Sequence, residues 1–143
     1  MLMASAMGAT AFQKGLGMVH SLSHPLGARY GMHHGLANAL LLAPALEYQL
    51  KARREGFSSD LKGRYQAIVN LMPGGEGKAH SSLPQLIRSF AEGIGLSGGL
   101  GAHGLREEDI GSLAEEAMKD GCHATNPIAC TMNDFVAVYS RAV

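Results

Sequence analysis

Apolar residues recur at helical spacing along almost the whole chain, and this periodicity is the feature that most constrains its fold. One stripe has apolar residues at i, i+3, i+4, i+7 and i+8, namely Ile110, Leu113, Ala114, Ala117 and Met118. Similar stripes predict helices over residues 2–12, 16–24, 34 to about 53, 60–72, 83–94 and 131–142. The sequence has no alternating pattern typical of a strand. It therefore predicts an all-α fold, a helical bundle of about six to seven helices.

Local signals indicate where some of these helices begin, bend or end. Thr131 and Asp134 have the spacing of a capping box. Pro44 cannot donate a backbone hydrogen bond and is expected to bend the helix that contains it. Pro25 is expected to disturb the helix that ends near residue 24. The glycine-rich segment 93–104 is predicted to be a surface loop.

Charge and cysteine content exclude several classes of protein. The chain has 12 basic and 12 acidic residues, so it lacks the electrostatic footprint of a protein that binds nucleic acid or an anionic membrane. The apolar run over residues 36–46 is far shorter than the ~20 residues needed to span a bilayer. Two cysteines make no disulfide framework and suit a reducing compartment. We expect a soluble cytoplasmic protein with no nucleic-acid or membrane partner.

Histidines are concentrated in one short stretch of the chain. His20 and His24 are four residues apart, so a helix would project them from one face. His34 lies at the first turn of the next helix, where the helix dipole disfavours imidazolium and leaves the neutral ring that a divalent metal requires. Two or three imidazoles suit zinc, iron, nickel or copper. Spacing alone leaves a metal site and an ordinary exposed pair both open.

The other four histidines are expected to have no role in a site; they are His33, His80, His103 and His123. His33 is adjacent to His34, and neighbouring residues on a helix point about 100° apart, so both cannot easily bind one ion.

A longer pattern surrounds these histidines. The stretch GLGMVHSLSHPLGARYGMHHGLANALLLAPALEY, residues 15–48, resembles the signature of the iron-containing (group III) alcohol dehydrogenases, roughly GLGxxHxxxHxLGxxYxxxHGxxNAxLLPxV. Only the final Leu-Leu-Pro is spaced one residue wider here. A second block, residues 109–143, resembles that family's C-terminus through Asp120, Cys122, Thr125, Asn126 and Pro127. The resemblance implies that residues 1–143 form a C-terminal metal-binding helical domain, of the kind also found in dehydroquinate synthase.

The resemblance also implies roles for individual residues. In the family, one Asp and three His bind a divalent metal, usually Fe²⁺, although Zn²⁺ or another divalent metal is possible. The last two of those histidines correspond to His20 and His34. His24 matches a histidine beside the metal that is thought to relay the alcohol proton, and Cys122 matches a position at the nicotinamide end of the cleft. The implied reaction is reversible hydride transfer between a small alcohol or aldehyde and NAD or NADP.

Two parts of the family pattern are not found in this sequence. The Asp-x-x-x-His that supplies the other two ligands is not found, and the nearest lookalike, Asp120 to His123, is spaced by three and is expected to cap and pack. No nucleotide-binding unit is found either. Gly99, Gly101 and Gly104 match GxGxxG but follow a predicted helix, so the motif lacks its required context. We therefore expect an incomplete domain that begins before Met1 in the natural protein, a homo-oligomer in the full enzyme, and no activity in the isolated chain.

Two other hypotheses belong to different functional classes. The chain is either a non-catalytic helical protein that pairs with a separately encoded half or with itself, binding metal weakly or not at all, or a small bundle for metal storage or sensing. Exposed apolar surface would favour the first, because large apolar patches drive association. Tight metal binding by the isolated chain would favour the second.

Overall fold

A computed structural model describes residues 1–51 and 59–143, and within these residues it contains seven α-helices and no strand. The helices are α1 (Leu2–Phe12), α2 (Met18–Tyr30), α3 (His34–Lys51), α4 (Ser59–Leu71), α5 (Leu83–Gly93), α6 (Ile110–Lys119) and α7 (Met132–Ala142). Short 3₁₀ turns lie between the later helices, over His80–Ser82, Leu100–His103, Glu107–Asp109 and Gly121–Thr125. The predicted all-α class is confirmed, whereas the predicted end of the third helix near Arg53 lies outside the described residues.

The main core lies between α2, α3, α6 and α7. Its largest fully buried side chains are Met18, Leu22, Leu26, Leu41, Leu100, Leu113, Phe135, Val138 and Tyr139. Burying one such side chain stabilises the fold by about 1.5–3 kcal/mol. A smaller cluster of Leu46, Val69, Leu83 and Leu86 joins α3 to α4 and α5. The helix α3 therefore contributes to both clusters, and its first residue lies against α2.

α1 differs from the other helices because none of its residues is buried. Leu2 is 90% exposed, Met3 77% and Met7 69%. The Phe12 ring, at its end, makes an edge contact with the His20 ring at a centroid distance of 5.5 Å. Among the described helices, none has the length and hydropathy that crossing a membrane requires.

α2 continues through Pro25, so the expectation that this proline disturbs the helix is wrong. Proline's fixed φ is compatible with a helix, and its main cost is one missing backbone hydrogen bond. Leu22 and Leu26 on either side of it are fully buried, and their packing retains the helical path. The helix ends instead at Gly31, whose φ of +62° places it in the left-handed region that favours glycine at a helix C-terminus.

The glycine-rich segment 93–104 is attached more closely to the core than a surface loop would be. Leu100 is fully buried in the main core. A Cβ on Gly99 would lie 2.5 Å from the carbonyl oxygen of Val143, so only glycine allows this approach. The prediction of a surface loop is wrong at this anchor, because tertiary packing holds Leu100 inside.

A buried carboxylate links the last helix to α3. Asp134 accepts hydrogen bonds from the backbone N–H of Thr131 at 2.6 Å and from its hydroxyl at 2.8 Å. The predicted capping box is therefore confirmed. The Tyr48 hydroxyl donates to the other oxygen of this carboxylate. Asp134 is only 1% exposed, so these hydrogen bonds lie inside the fold.

A second carboxylate holds the C-terminal end of α2. Asp109 accepts hydrogen bonds from the Tyr30 hydroxyl at 2.6 Å and from Arg106 Nε at 2.9 Å. The hydrogen bond from Tyr30 lowers the pKa of Asp109, and the neighbouring Arg106 lowers it further. An ionised carboxylate thus ties the end of α2 to the start of α6.

Candidate functional site

Three imidazole rings meet at the junction of α2 and α3, and we call them the histidine cluster: His20, His24 and His34. The ring centroids of His20 and His34 are 5.2 Å apart. The His24 ring lies 5.4 Å from that of His34 and 6.1 Å from that of His20. The four-residue spacing on α2 and the start of α3 at His34 bring these rings together, as the sequence predicts. Their role as metal ligands or catalytic groups stays a prediction.

The surroundings of His34 define which of its nitrogens carries a lone pair. The Asn38 amide nitrogen, one turn along α3, lies 3.0 Å from His34 Nε2 and acts as the donor. His34 Nδ1 lies 3.5 Å from the Ser23 hydroxyl oxygen, whose own proton is donated to the His20 carbonyl at 3.0 Å. The lone pair at Nε2 of His34 therefore accepts a hydrogen bond from the Asn38 amide.

The surroundings of His20 favour its neutral form. Partial burial lowers the pKa of His20, and the neighbouring rings of His34 and His24 lower it further. Burial disfavours the charged imidazolium, and like charges placed close together do the same. The neutral ring is the form that binds a divalent cation.

These residues fit a divalent ion with nitrogen ligands. His20 and His34 offer imidazole rings from two different helices at a short separation. The side-chain oxygen of Asn38 is buried and has no hydrogen-bond donor, the single case of this kind within residues 1–51 and 59–143. A buried acceptor without a donor beside two imidazoles suits a cation site. Imidazole ligands are compatible with iron and with zinc.

His24 is paired with a carboxylate that is distant in sequence. Its Nδ1 lies 2.7 Å from Asp120 Oδ2. The other oxygen of Asp120 accepts from the Ser21 hydroxyl at 2.9 Å and from the Cys122 backbone N–H at 2.8 Å. Partial burial raises the pKa of Asp120, but hydrogen bonds from His24 and Cys122 outweigh it and bring the pKa well below its usual range. An ionised carboxylate therefore accepts the Nδ1 proton of His24.

Cys122 lies beside this pair in the 3₁₀ turn Gly121–Thr125. Burial, together with the Asp120 carboxylate, raises the pKa of its thiol to about 11. The thiol is therefore protonated at neutral pH. One ligand atom from each of His24, Asp120 and Cys122 lies within 4.8 Å of the other two, which makes this group a second possible arrangement for a metal ion.

The two sequence blocks of the family pattern contact each other at the start of α2. Asn126 accepts the first backbone N–H of the helix, from Met18, at 3.2 Å. The Thr125 hydroxyl donates to the carbonyl of Leu16. A Cβ on Gly15 would lie 2.6 Å from Thr125 Oγ1, and one on Gly17 would lie 2.9 Å from Asn126 Oδ1. Glycine at both positions therefore permits the turn that brings Cys122 alongside α2.

The predicted site residues His20, His24, His34 and Cys122 lie in one region. Sequence reasoning gave Asp120 only a capping role; it does cap the turn through the Cys122 N–H, but it also binds His24. The available signal was its place in the Asp-x-Cys of the second block. Asn38 was likewise not identified as a contact of His34. His123, predicted to have no site role, packs its ring edge-on against Phe135 at 5.4 Å.

Comparison with known proteins identifies relatives along the full chain. The sequence model described as "Fe-containing alcohol dehydrogenase family, C-terminal" matches residues 1–143. A 4-hydroxybutyrate dehydrogenase of Cupriavidus necator is 35% identical over 140 residues, covering 94% of this chain and 35% of that protein. A lactaldehyde reductase of Escherichia coli K12 is 34% identical over 134 residues, covering 90% of this chain and 33% of that protein.

A solved structure has the same helical arrangement. The crystal structure of a 1,3-propanediol oxidoreductase superposes with a TM-score of 0.74 at 30% identity, over 90% of this chain and 33% of that one. The chain thus spans about a third of the length of the relatives that it matches.

Proposed function

Because this chain belongs to the Fe-containing alcohol dehydrogenase family, we propose that its bundle supplies half of a catalytic metal site for hydride transfer between a small alcohol or aldehyde and NAD or NADP. The main support for this proposal is the distance of 5.2 Å between the ring centroids of His20 and His34, which lie on two different helices. The names of the relatives, which include two dehydrogenases or reductases of small oxygenated compounds, support the same class of reaction.

His20 and His34 would hold the ion through ring nitrogens, with Fe²⁺ preferred and Zn²⁺ or another divalent metal possible. When bound, such an ion supplies Lewis-acid polarisation of the substrate oxygen. The remaining metal ligands would have to be supplied by residues other than these 143. Partial burial lowers the pKa of His20, which favours the neutral ring that a metal ion requires.

His24 and Cys122 would act on the substrate and cofactor side. His24 would take the hydroxyl proton of the alcohol at the ring nitrogen that faces away from Asp120, and return it when the aldehyde is reduced. Cys122 would line the nicotinamide end of the cleft as a neutral thiol, as its raised pKa favours. NAD or NADP carries the hydride itself, while the protein orients the reacting groups.

Metal titration of the chain tests the first part of this proposal. With Co²⁺ followed by visible absorption and calorimetry, we expect weak binding by the wild-type chain. His20→Ala and His34→Ala should each weaken it by more than about tenfold, since even residues that only orient metal ligands contribute 10–100-fold. His33→Ala, at the exposed neighbour of His34, is the matched control and should leave binding unchanged. Equal affinity in the wild type and in His20→Ala would overturn the proposed site.

The 143 residues alone are expected to have no dehydrogenase activity. Within the described residues there is no strand from which a nucleotide-binding unit could be built, and the histidine cluster supplies only half of the implied ligands. Alcohol-dependent reduction of NAD or NADP, assayed with added Fe²⁺, should not exceed that of His20→Ala. A rate clearly above this control would show that the chain is catalytically sufficient.

A further inference from the structure

We propose that Asp120 is a positioning residue for His24, fixing the Nδ1–H tautomer and leaving Nε2 as the nitrogen that exchanges a proton with the substrate. This inference rests on the proposed function of the histidine cluster, but its geometry involves only residues of this chain. His24 Nδ1 lies 2.7 Å from Asp120 Oδ2. A carboxylate at that distance accepts one proton, so the ring must present N–H at Nδ1.

The orientation of Asp120 is determined by contacts other than His24. The Ser21 hydroxyl, one turn before His24 on α2, donates to Oδ1 at 2.9 Å, and the Cys122 N–H donates to the same oxygen at 2.8 Å. Ser21 in turn accepts the backbone N–H of His123 at 2.9 Å. The start and the middle of the 3₁₀ turn are therefore tied to α2, and the second carboxylate oxygen of Asp120 is directed at the imidazole.

This arrangement would assist proton movement in both directions. During alcohol oxidation, the substrate O–H bond breaks and an N–H bond forms at Nε2, which makes His24 an imidazolium beside a negative carboxylate. During aldehyde reduction, the same proton leaves Nε2 for the substrate oxygen, and the neutral ring returns. Carboxylates hydrogen-bonded to a catalytic histidine typically act in this way, by selecting the tautomer and stabilising the protonated ring.

The Asp120→Asn substitution has a defined consequence because the two carboxylate oxygens have different partners. The position of Oδ1 receives two donors, from Ser21 and Cys122, so in the variant it must be occupied by the amide oxygen. The amide NH₂ then faces His24 Nδ1 and donates to it. We therefore expect the substitution to invert the tautomer of His24, placing the proton on Nε2.

The test is nitrogen-15 NMR of the imidazole rings in the metal-free 143-residue chain at alkaline pH. In the wild type, His24 should show a protonated Nδ1 and an unprotonated Nε2. In Asp120→Asn, the signals should instead show a protonated Nε2 and an unprotonated Nδ1. Circular dichroism should show the same helical content as in the wild type. Asp60→Asn changes an exposed carboxylate paired with Arg64 and should leave the His24 signals unaltered.

Several results would overturn the proposal. One is a wild-type His24 protonated at Nε2, a measurement that stands even if Asp120→Asn does not fold. Another is an unchanged tautomer in a folded Asp120→Asn chain. A third is loss of Co²⁺ binding in Asp120→Asn, which would make Asp120 a ligand. Since the NMR measurement needs neither metal nor activity, its failure is distinguishable from failure of the His20 and His34 metal site.

Discussion

At the scale of single residues, the buried carboxylate of Asp134 stabilises the junction between α3 and α7. It is 1% exposed and accepts hydrogen bonds from Thr131 and from the Tyr48 hydroxyl. A hydrogen bond to a charged group contributes about 1.5–3 kcal/mol. Tyr48→Phe should therefore lower the free energy of unfolding by that amount, as measured by urea denaturation.

The matched control for this substitution is Ser140→Ala, which removes an exposed hydroxyl that donates to the Val136 carbonyl within α7. An exposed change of this kind should alter stability by no more than about 0.5 kcal/mol. If Tyr48→Phe were as stable as Ser140→Ala, the hydroxyl would contribute nothing to holding the carboxylate.

Individual site residues differ in how far the sequence could predict them. His20, His24 and His34 were accessible because their spacing is short and local helix geometry dictates which face they share. Asp120 contacts His24 across 96 residues of chain, and no local pattern predicts such a pair. The pairing of Asp120 with His24 is visible only in the structure, where the 3₁₀ turn Gly121–Thr125 packs against α2.

At the scale of helices, α1 is the element with the clearest consequence for behaviour in solution. Leu2, Met3 and Met7 are largely exposed, and the segment Leu2–Phe12 has no charged residue. Exposed apolar surface of this kind drives association. We expect the chain to self-associate in sedimentation velocity or light-scattering experiments at micromolar concentration.

Charge placed on one face of α1 should reduce this association. Met3 and Met7 are four residues apart, and the double substitution Met3→Lys with Met7→Lys should shift the chain towards monomer. Leu71→Lys is the control, since Leu71 is an equally exposed apolar residue, 86% exposed, but lies at the end of α4. A wild-type chain that is already monomeric would contradict the expectation, as would an equal effect of Leu71→Lys.

The positions of the helices could be predicted from the sequence, but the length of α2 and the burial of Leu100 could not. The sequence correctly indicated all seven described helices, and each of them except α1 buries residues on one face. Pro25 was expected to disturb α2, and Leu100 was expected to lie in a surface loop. Both expectations were wrong for the same physical reason: burial of Leu22, Leu26 and Leu100 in the main core outweighs a local preference of the backbone.

At the scale of the whole molecule, the candidate site depends on the main core. α2 and α3 pack against each other through fully buried Leu22 and Leu41, while α7 packs Tyr139 beneath them and donates its hydroxyl to the Leu22 carbonyl. This core places His20 and His24 opposite the first residue of α3. The site is therefore formed by helix packing, and half of the implied metal ligands can be present in a chain that spans about a third of its relatives' length.

The proposed function requires that His20 and His34 bind the same ion. Anomalous diffraction at the zinc edge, from crystals of the 143-residue chain grown with Zn²⁺, tests this most directly. We expect a peak about 2.0–2.1 Å from one ring nitrogen of each histidine. A peak at His24, Asp120 and Cys122 instead, or no peak between the rings of His20 and His34, would contradict it.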